Sequence, residues 1–384
     1  MSLSRRDFIR CTAVAGAAAG LGLSLGCGSR SRTPAPRAVA SGYRSGLAER
    51  RLKLLILGGT AFLGPHTIAA ARARGHEVTL FNRGKTNPEL FPELEKLRGD
   101  RDGELSALIG RTWDAVIDTS GYVPRHVRLS AELLAPSVAH YLFISTISVY
   151  RDYSVVGMDE SAPIATLADP TTEQITGESY GALKALCEAA AQDAMPGRTT
   201  VIRPGLIVGP EDRTDRFTYW PVRVDRGGEV LSPGAPTDPI QFIDVRDLAE
   251  FIVVCLESRI LGTFNADAPA GVLTMGKLLD TCREVTGSDA RLTWADADFL
   301  AQQNVSPWQD MPCWVPAVGP EAGFGKVNTE KAHAAGLGMR TLDDTVRATL
   351  AWWRTEPEDR RKTLRAGLAP EREAAVLAAW HARG

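Results

Sequence analysis

Tyr180 and Lys184 stand four residues apart in Tyr180-Gly181-Ala182-Leu183-Lys184. In a helix that spacing puts both side chains on one face, one above the other. An ammonium held beside a phenol favours the phenolate, because a nearby positive charge stabilises the ionised acid. A tyrosine tuned this way exchanges a proton with a sugar hydroxyl or a carbonyl near neutral pH. The spacing alone is common on solvated helix faces. It gains weight from an upstream turn, Gly58-Gly59-Thr60-Ala61-Phe62-Leu63-Gly64.

That turn follows an apolar run of strand type, residues 52–57, and leads into an alanine-rich helix expected around 67–74. Gly58 permits a tight turn, Gly64 lets the helix pack closely on the strand, and Ala61 is small enough to let backbone approach a pyrophosphate. The helix N-terminus then offers amides and a positive dipole end to phosphate. Thr60, Phe62 and Leu63 complete this candidate dinucleotide contact. A second strand, 76–81, follows at the expected distance.

What ends the second strand bears on the cofactor. A NAD site usually has a carboxylate there for the ribose diol, whereas this chain has Asn82-Arg83-Gly84-Lys85. Arg83 and Lys85 suit a 2′-phosphate, so the expectation is NAD(P), leaning to NADP. Asp100 is placed to meet the adenine amino group. Residues 113–122 read as a fourth strand entering a loop beside the nicotinamide, with Ser120 in that loop. Residues 141–150 read as the fifth.

With these pieces in order the chain resembles the extended short-chain dehydrogenase/reductase superfamily, in its epimerase/dehydratase branch. The residues that carry the resemblance are G-G-T-A-F-L-G (58–64), G-D-R-D (99–102), I-S-T-I-S-V-Y (144–150), Y-G-A-L-K (180–184), I-R-P-G-L-I-V-G-P (202–210) and F-I-D-V-R-D-L-A (242–249). The resemblance implies an α/β fold: a Rossmann doubly wound parallel sheet with a smaller C-terminal substrate-binding lobe. It implies Thr146 as the residue orienting the reacting oxygen, with Ser145 and Ser148 as neighbouring alternatives. It implies Tyr180 as acid/base and Lys184 as the residue that holds the nicotinamide ribose and tunes Tyr180. Arg203 joins the expected cofactor contacts. Dimers are common in that superfamily, which leaves a homodimer as an open expectation.

Two departures narrow the analogy. The fourth strand ends Asp118-Thr119-Ser120-Gly121-Tyr122, where sugar-nucleotide epimerases usually carry His and two small residues. Residues 211–220, rich in charge and aromatics, read as a substrate loop: Arg213 and Arg216 suit anionic groups, and Tyr219 or Trp220 suits a sugar ring. Ser148 is a further candidate for substrate contact. These features look more like the branch that includes chloroplast stem-loop-binding proteins. Asp244 and Arg246 read as a brace for the loop.

Ahead of the fold, Ser4-Arg5-Arg6-Asp7-Phe8-Ile9-Arg10 and a small, apolar stretch over 13–25 have the layout of a twin-arginine export leader. The stretch is too short and too rich in Gly and Ala for a convincing membrane span. The translocon of that pathway is therefore an expected partner, and the periplasm or the outer face of the membrane the expected location. Gly26-Cys27 fits a lipoprotein cleavage site, with cleavage near Ala38 or Ala40 as the rival. Residues 29–46, rich in Ser, Pro, Arg and Gly, read as a tether. The chain divides accordingly into a leader and tether (1–50), a nucleotide-binding domain (51–210) and a mixed substrate lobe (211–384), with 240–257 returning to the first core.

A net charge of -2 and 44% apolar residues give no basic footprint for nucleic acid. Cys187, Cys255, Cys282 and Cys313 form no C-x-x-C and read as buried free thiols. Six scattered histidines give no metal-ligand spacing, and no metal is expected. The expected function is an exported NAD(P)-dependent enzyme acting on a sugar-like small molecule. A reductase using NADPH and a non-catalytic nucleotide- or sugar-binding protein are the alternatives.

Overall fold

The computed structural model describes residues 46–383. The leader, Cys27 and residues 29–45 of the tether lie outside them. Strands and helices first alternate: β1 (Lys53–Leu57), α1 (Leu63–Ala73), β2 (Glu77–Asn82), β3 (Glu95–Arg98), β4 (Trp113–Asp118), α2 (Pro124–Leu134), β5 (Val138–Ile144), α3 (Tyr180–Ala194) and β6 (Thr199–Pro204). Next come β7 (Ile207–Val208), α4 (Tyr219–Asp225), β8 (Glu229–Pro233), β9 (Ile243–Asp244), α5 (Val245–Glu257) and β10 (Gly262–Ala266). The chain closes with α6 (Met275–Thr286), β11 (Arg291–Ala295), α7 (Ala297–Gln302), α8 (Glu330–Ala334), α9 (Leu342–Thr355), α10 (Glu358–Arg361) and α11 (Pro370–His381).

Seven strands form one parallel sheet in the order β3-β2-β1-β4-β5-β6-β10. β1 is apolar on both faces because both are covered. Leu54 and Ile56 enter the core shared with α1 and α5, while Leu55 and Leu57 enter the core shared with α2 and α3. The strand order reverses between β1 and β4, and in open sheets of this kind the crevice that takes a ligand lies at such a switch point, beyond the carboxyl ends of the strands. A separate core of Phe217, Tyr219, Trp220, Trp314 and Trp353 is organised around the parallel pair β8 and β11. Residues of β9, α5 and β10 return to the first core.

The fifth strand is shorter than its apolar run. It ends at Ile144, and residues 147–149 form a 3₁₀ turn. Thr146 Oγ1 accepts the Ser148 amide at 3.1 Å, so a side chain competes with the ladder and turns the backbone away. Asp244 caps α5, receives both arms of Arg246 at 2.9 and 2.7 Å, and accepts the Thr345 hydroxyl of α9 at 2.8 Å. The four described cysteines are buried and unpaired. Among the described residues no helix is long and apolar enough to cross a membrane.

His140 on β5 gives the fold an acid-sensitive point. It is buried, its Nε2 lies 2.7 Å from Thr200 Oγ1, and its Nδ1 has no partner. Burial, with Arg259 adding to it, pulls the imidazole down to about 4. Between the ordinary histidine range and that value the unfolded chain binds a proton that the fold refuses. Stability therefore falls as pH drops from 6.5 towards 4, by roughly 3 kcal/mol from this group. The thermal midpoint of His140→Gln is expected to fall less over that range than that of the wild type. Equal losses in both would show that His140 contributes nothing.

Candidate active site

Glycine shapes the first turn of the crevice. Gly58 has φ +101°, and a Cβ there would meet Thr119 Oγ1 at 2.9 Å. A Cβ on Gly64 would lie 2.4 Å from the Gly59 carbonyl carbon and oxygen. The turn thus closes on bare backbone, and no side chain caps α1. Backbone without side chains at an uncapped helix start is the cradle a pyrophosphate requires, so the residues present fit a dinucleotide. Thr60 and Leu63 are buried in this turn, Ala61 is exposed, and Phe62 sets its ring edge-on to His66 at 6.3 Å.

Asn82 ends β2 and braces the turn. Its Nδ2 donates to Gly58 O at 2.9 Å, and its Oδ1 accepts the Gly84 amide at 3.0 Å and the Arg98 guanidinium. Sheet register places Arg98 directly beside Asn82. A Cβ on Gly84 would be 2.8 Å from the Arg98 guanidinium carbon, so that cation lies across the glycine. Arg83 is exposed, with Nη1 3.9 Å from the half-buried Asp100 carboxylate. Ser120 donates its hydroxyl to Leu57 O at 3.1 Å and its amide to Asp118 at 3.0 Å. It therefore joins the β4 loop to the glycine turn.

Lys184 is 3% exposed, and its Nζ donates to Gly121 O at 2.6 Å and Ile144 O at 2.7 Å. The ammonium sits 4.1 Å from the Phe143 ring centre and 5.2 Å from that of Tyr122. Burial draws it down to about 8, against the opposing pull of Cys187, Asp118 and Glu188. Tyr180 opens α3, is half-buried, and has its ring centre 6.4 Å from that of Tyr122. Tyr122 thus lies against both members of the pair.

Thr146 is brought close to them by a missing side chain. A Cβ on Gly181 would be 1.9 Å from Ser148 O, so α3 packs its first turn directly on the 147–149 turn. The Thr146 hydroxyl also donates to Ser148 Oγ at 3.2 Å, and Ser148 is exposed at the surface of that turn. Ser145 points away from the crevice, its hydroxyl donating to the buried Glu188 carboxylate.

Three of the expected contacts are placed differently. Arg203 does not reach the crevice: it is buried, pairs with Glu188 through Nε at 2.9 Å and Nη2 at 2.7 Å, and donates to Tyr150 and Glu160 O at 3.2 Å. Tyr219 is 1% exposed, and Gly367 packs against its ring with no room for a Cβ. Trp220 is equally buried and gives its indole N–H to Pro312 O at 2.6 Å. Both aromatics are claimed by the lobe core, because α4 is short and its apolar face has only that core to cover it.

Of the loop cations, Arg213 is exposed and its carbonyl accepts from Arg365 at 2.9 Å. Arg216 is half-buried, 5.7 Å from the Trp308 ring centre. Trp308 meets Phe324 edge-on at 5.3 Å, Phe324 meets Tyr153 at 5.3 Å, and Tyr153 donates to Ile147 O at 3.1 Å. An aromatic series therefore runs from Arg216 back to the 147–149 turn. Trp308 in this series, and Cys313, whose thiol meets Arg216 O at 3.5 Å, have positive φ. Such backbone costs on the order of 1–3 kcal/mol each and clusters at functional walls.

The sequence reading missed Tyr122, Asp118, Arg101, Glu188 and Arg98 in these roles, whereas Trp308 falls in the Pro-rich segment 306–320 that reads as a wall of the substrate cleft. Glu188 alone carried a local signal, one helical turn after Lys184. Among the described residues no cluster of three or more His, Cys, Asp or Glu is arranged for a metal ion.

Residues 54–266, more than half the chain, match the family described as NAD dependent epimerase/dehydratase. The chain belongs to that family. It is accordingly an NAD-dependent enzyme, of a subclass the match leaves open. Residues 2–22 match the twin-arginine translocation pathway signal sequence. Epimerase family protein SDR39U1 of Bos taurus is 26% identical over 243 residues, covering 58% of this chain and 76% of that protein. Chloroplast stem-loop binding protein of 41 kDa b from Arabidopsis thaliana is 27% identical over 223 residues, 54% of this chain and 55% of that one. The chain thus spans about half the length of the plant relative. In fold, this epimerase/dehydratase member is similar to WbmG of Bordetella bronchiseptica, solved with NAD and UDP: TM-score 0.60, 16% identity, 83% of this chain and 99% of that one.

Proposed function

We propose that this chain is an exported enzyme that epimerises, isomerises or eliminates within a sugar or related hydroxyl/carbonyl compound while keeping its nucleotide captive. The observation that carries the chemistry is Lys184, locked between two carbonyls at the crevice with Tyr122 shared between it and Tyr180. Tyr180 moves the proton of the reacting hydroxyl, Lys184 holds the ribose and favours the phenolate, and Thr146 orients the reacting oxygen. Gly58, Thr60, Ala61, Phe62, Leu63 and Gly64 cradle the pyrophosphate, Asp100 meets the adenine, and Ser120 lines the nicotinamide end. The bound nucleotide supplies a ring that takes and returns a hydride. Arg216, Arg213 and Ser148 face the substrate.

The redox-neutral cycle rests on the leader. Free NAD(P)H is scarce outside the cytoplasm, and a reaction that returns its hydride needs no resupply. A twin-arginine substrate crosses folded, so a nucleotide loaded inside travels with it. The second reading, an NADPH-dependent reductase, is favoured by the same cations that point to NADP: Arg83 and Arg98 around Gly84, with Asn82 where a carboxylate would repel a 2′-phosphate.

The test is to denature the dialysed mature protein and identify released nucleotide by mass. Stoichiometric NADP or NAD supports the proposal. An empty site, with turnover only on added NADPH, would sink the captive cycle in favour of the reductase. The double variant Arg83→Ala/Arg98→Ala is expected to lose NADP affinity roughly 10- to 100-fold while holding NAD, since charge-assisted hydrogen bonds are lost. Unchanged NADP binding would show that neither arginine meets a 2′-phosphate.

A further inference from the structure

We propose that two buried arginine–carboxylate pairs, Arg101–Asp118 and Arg203–Glu188, form a bracket that fixes the two carbonyls holding Lys184 and so positions that lysine. The inference rests on the assignment of Lys184 to the reacting centre. Lys184 donates its hydrogen bonds to carbonyls at two separate strand ends, Gly121 O beyond β4 and Ile144 O at the end of β5. Each end is anchored by one of the pairs.

On the β4 side, Asp118 receives Arg101 Nη1 and Nη2 at 2.7 Å each and the Tyr141 hydroxyl at 2.8 Å. Its Oδ1 also accepts the amide of Ser120, the residue before Gly121. On the β5 side, Glu188 receives Arg203 twice and the hydroxyl of Ser145, the residue after Ile144. Arg203 reaches on to the Tyr150 hydroxyl, which donates to Asn265 Oδ1 at 2.6 Å. The far end of the Thr146 turn is thus tied to the same pair. Asp118, Glu188 and Arg203 are nearly solvent-free, and Arg101 little less so.

Stability does not account for two such pairs around one lysine. Buried ion pairs are often no better than well-packed apolar residues. What they add here is position and field. Among the described residues no carboxylate pairs with Lys184, and the groups that face it include Cys187 and Glu188 from α3, Asp118 from β4, Arg101, and the rings of Phe143 and Tyr122. Asp118 and Glu188 oppose the burial that strips its proton, Arg101 offsets part of that effect, and each arginine orients one carboxylate.

The chain has eight lysines, few enough to follow one by NMR in the full chain labelled with ¹³C-lysine. A Lys184→Met spectrum identifies the resonance, whose midpoint is expected near 8 in the wild type. Glu188→Gln and Asp118→Asn keep shape and remove one charge each. Either is expected to lower the Lys184 midpoint by about a unit, an effect that a merely structural role would not produce. Should both fail to fold, Ser145→Ala removes a single hydroxyl and leaves both ion pairs whole. It is expected to displace the Lys184 resonance by loosening Ile144 O. An unmoved midpoint in a folded charge variant, or an unmoved resonance in Ser145→Ala, overturns the bracket. A moved midpoint supports it. Full turnover by Lys184→Met would overturn the reading of Lys184 instead, and leave the bracket standing.

Discussion

Tyr180→Phe is expected to retain nucleotide at wild-type stoichiometry and to lose turnover by about 10²- to 10⁴-fold, the usual contribution of a positioned acid/base. The substitution removes one oxygen from a half-buried ring whose neighbour Tyr122 stays in place. Retained nucleotide with lost turnover therefore isolates the proton transfer from cofactor binding. The measurement is mass identification of bound nucleotide alongside product formation, followed by NMR, on a panel of sugars and nucleotide sugars. Undiminished turnover in the variant would remove Tyr180 from the chemistry. If nucleotide and ligand bind but neither protein turns anything over, the non-catalytic reading gains.

The second large effect comes from the smallest substitution. Gly181→Ala places a methyl group 1.9 Å from Ser148 O, where only backbone can yield. Overpacking of this kind costs about 1–3 kcal/mol, and here the strain falls between α3 and the turn that carries Thr146. Relief requires Tyr180 and Lys184 to move away from Thr146 together. A displacement of about 1 Å in a reacting constellation costs turnover on the order of 100-fold. The expected result is a folded protein with a lowered thermal midpoint, nucleotide still bound through residues 58–64, and turnover depressed nearly as far as in Tyr180→Phe. Wild-type turnover in Gly181→Ala would mean that Thr146 need not be held against α3.

The strand–turn–helix over residues 53–73 was legible because every residue that shapes it lies within one short stretch: an apolar run, two glycines and a helix start. The doubly wound parallel sheet was an expectation carried by the family resemblance, and its seven-strand order came from the structure. Tyr180 and Lys184 were legible because helical spacing alone brings them to one side. The end of the fifth strand was not, since Thr146 draws the backbone out of the ladder through one side-chain hydrogen bond.

The sequence by itself determined the family, the parallel sheet, the glycine cradle and the candidate pair. The cradle and the pair are written in spacings shorter than a helix and its strand, where backbone sterics and periodicity leave few choices, while the family and its sheet come from the resemblance carried by the ordered motifs over 58–249. Only the tertiary structure decided that Arg203 belongs to Glu188, that Arg98 stands beside Asn82, and that Tyr219 and Trp220 serve a core. Those outcomes join residues far apart in the chain, and composition cannot rank them. A buried cation goes wherever the fold brings a carboxylate, and an aromatic goes wherever apolar area must be covered.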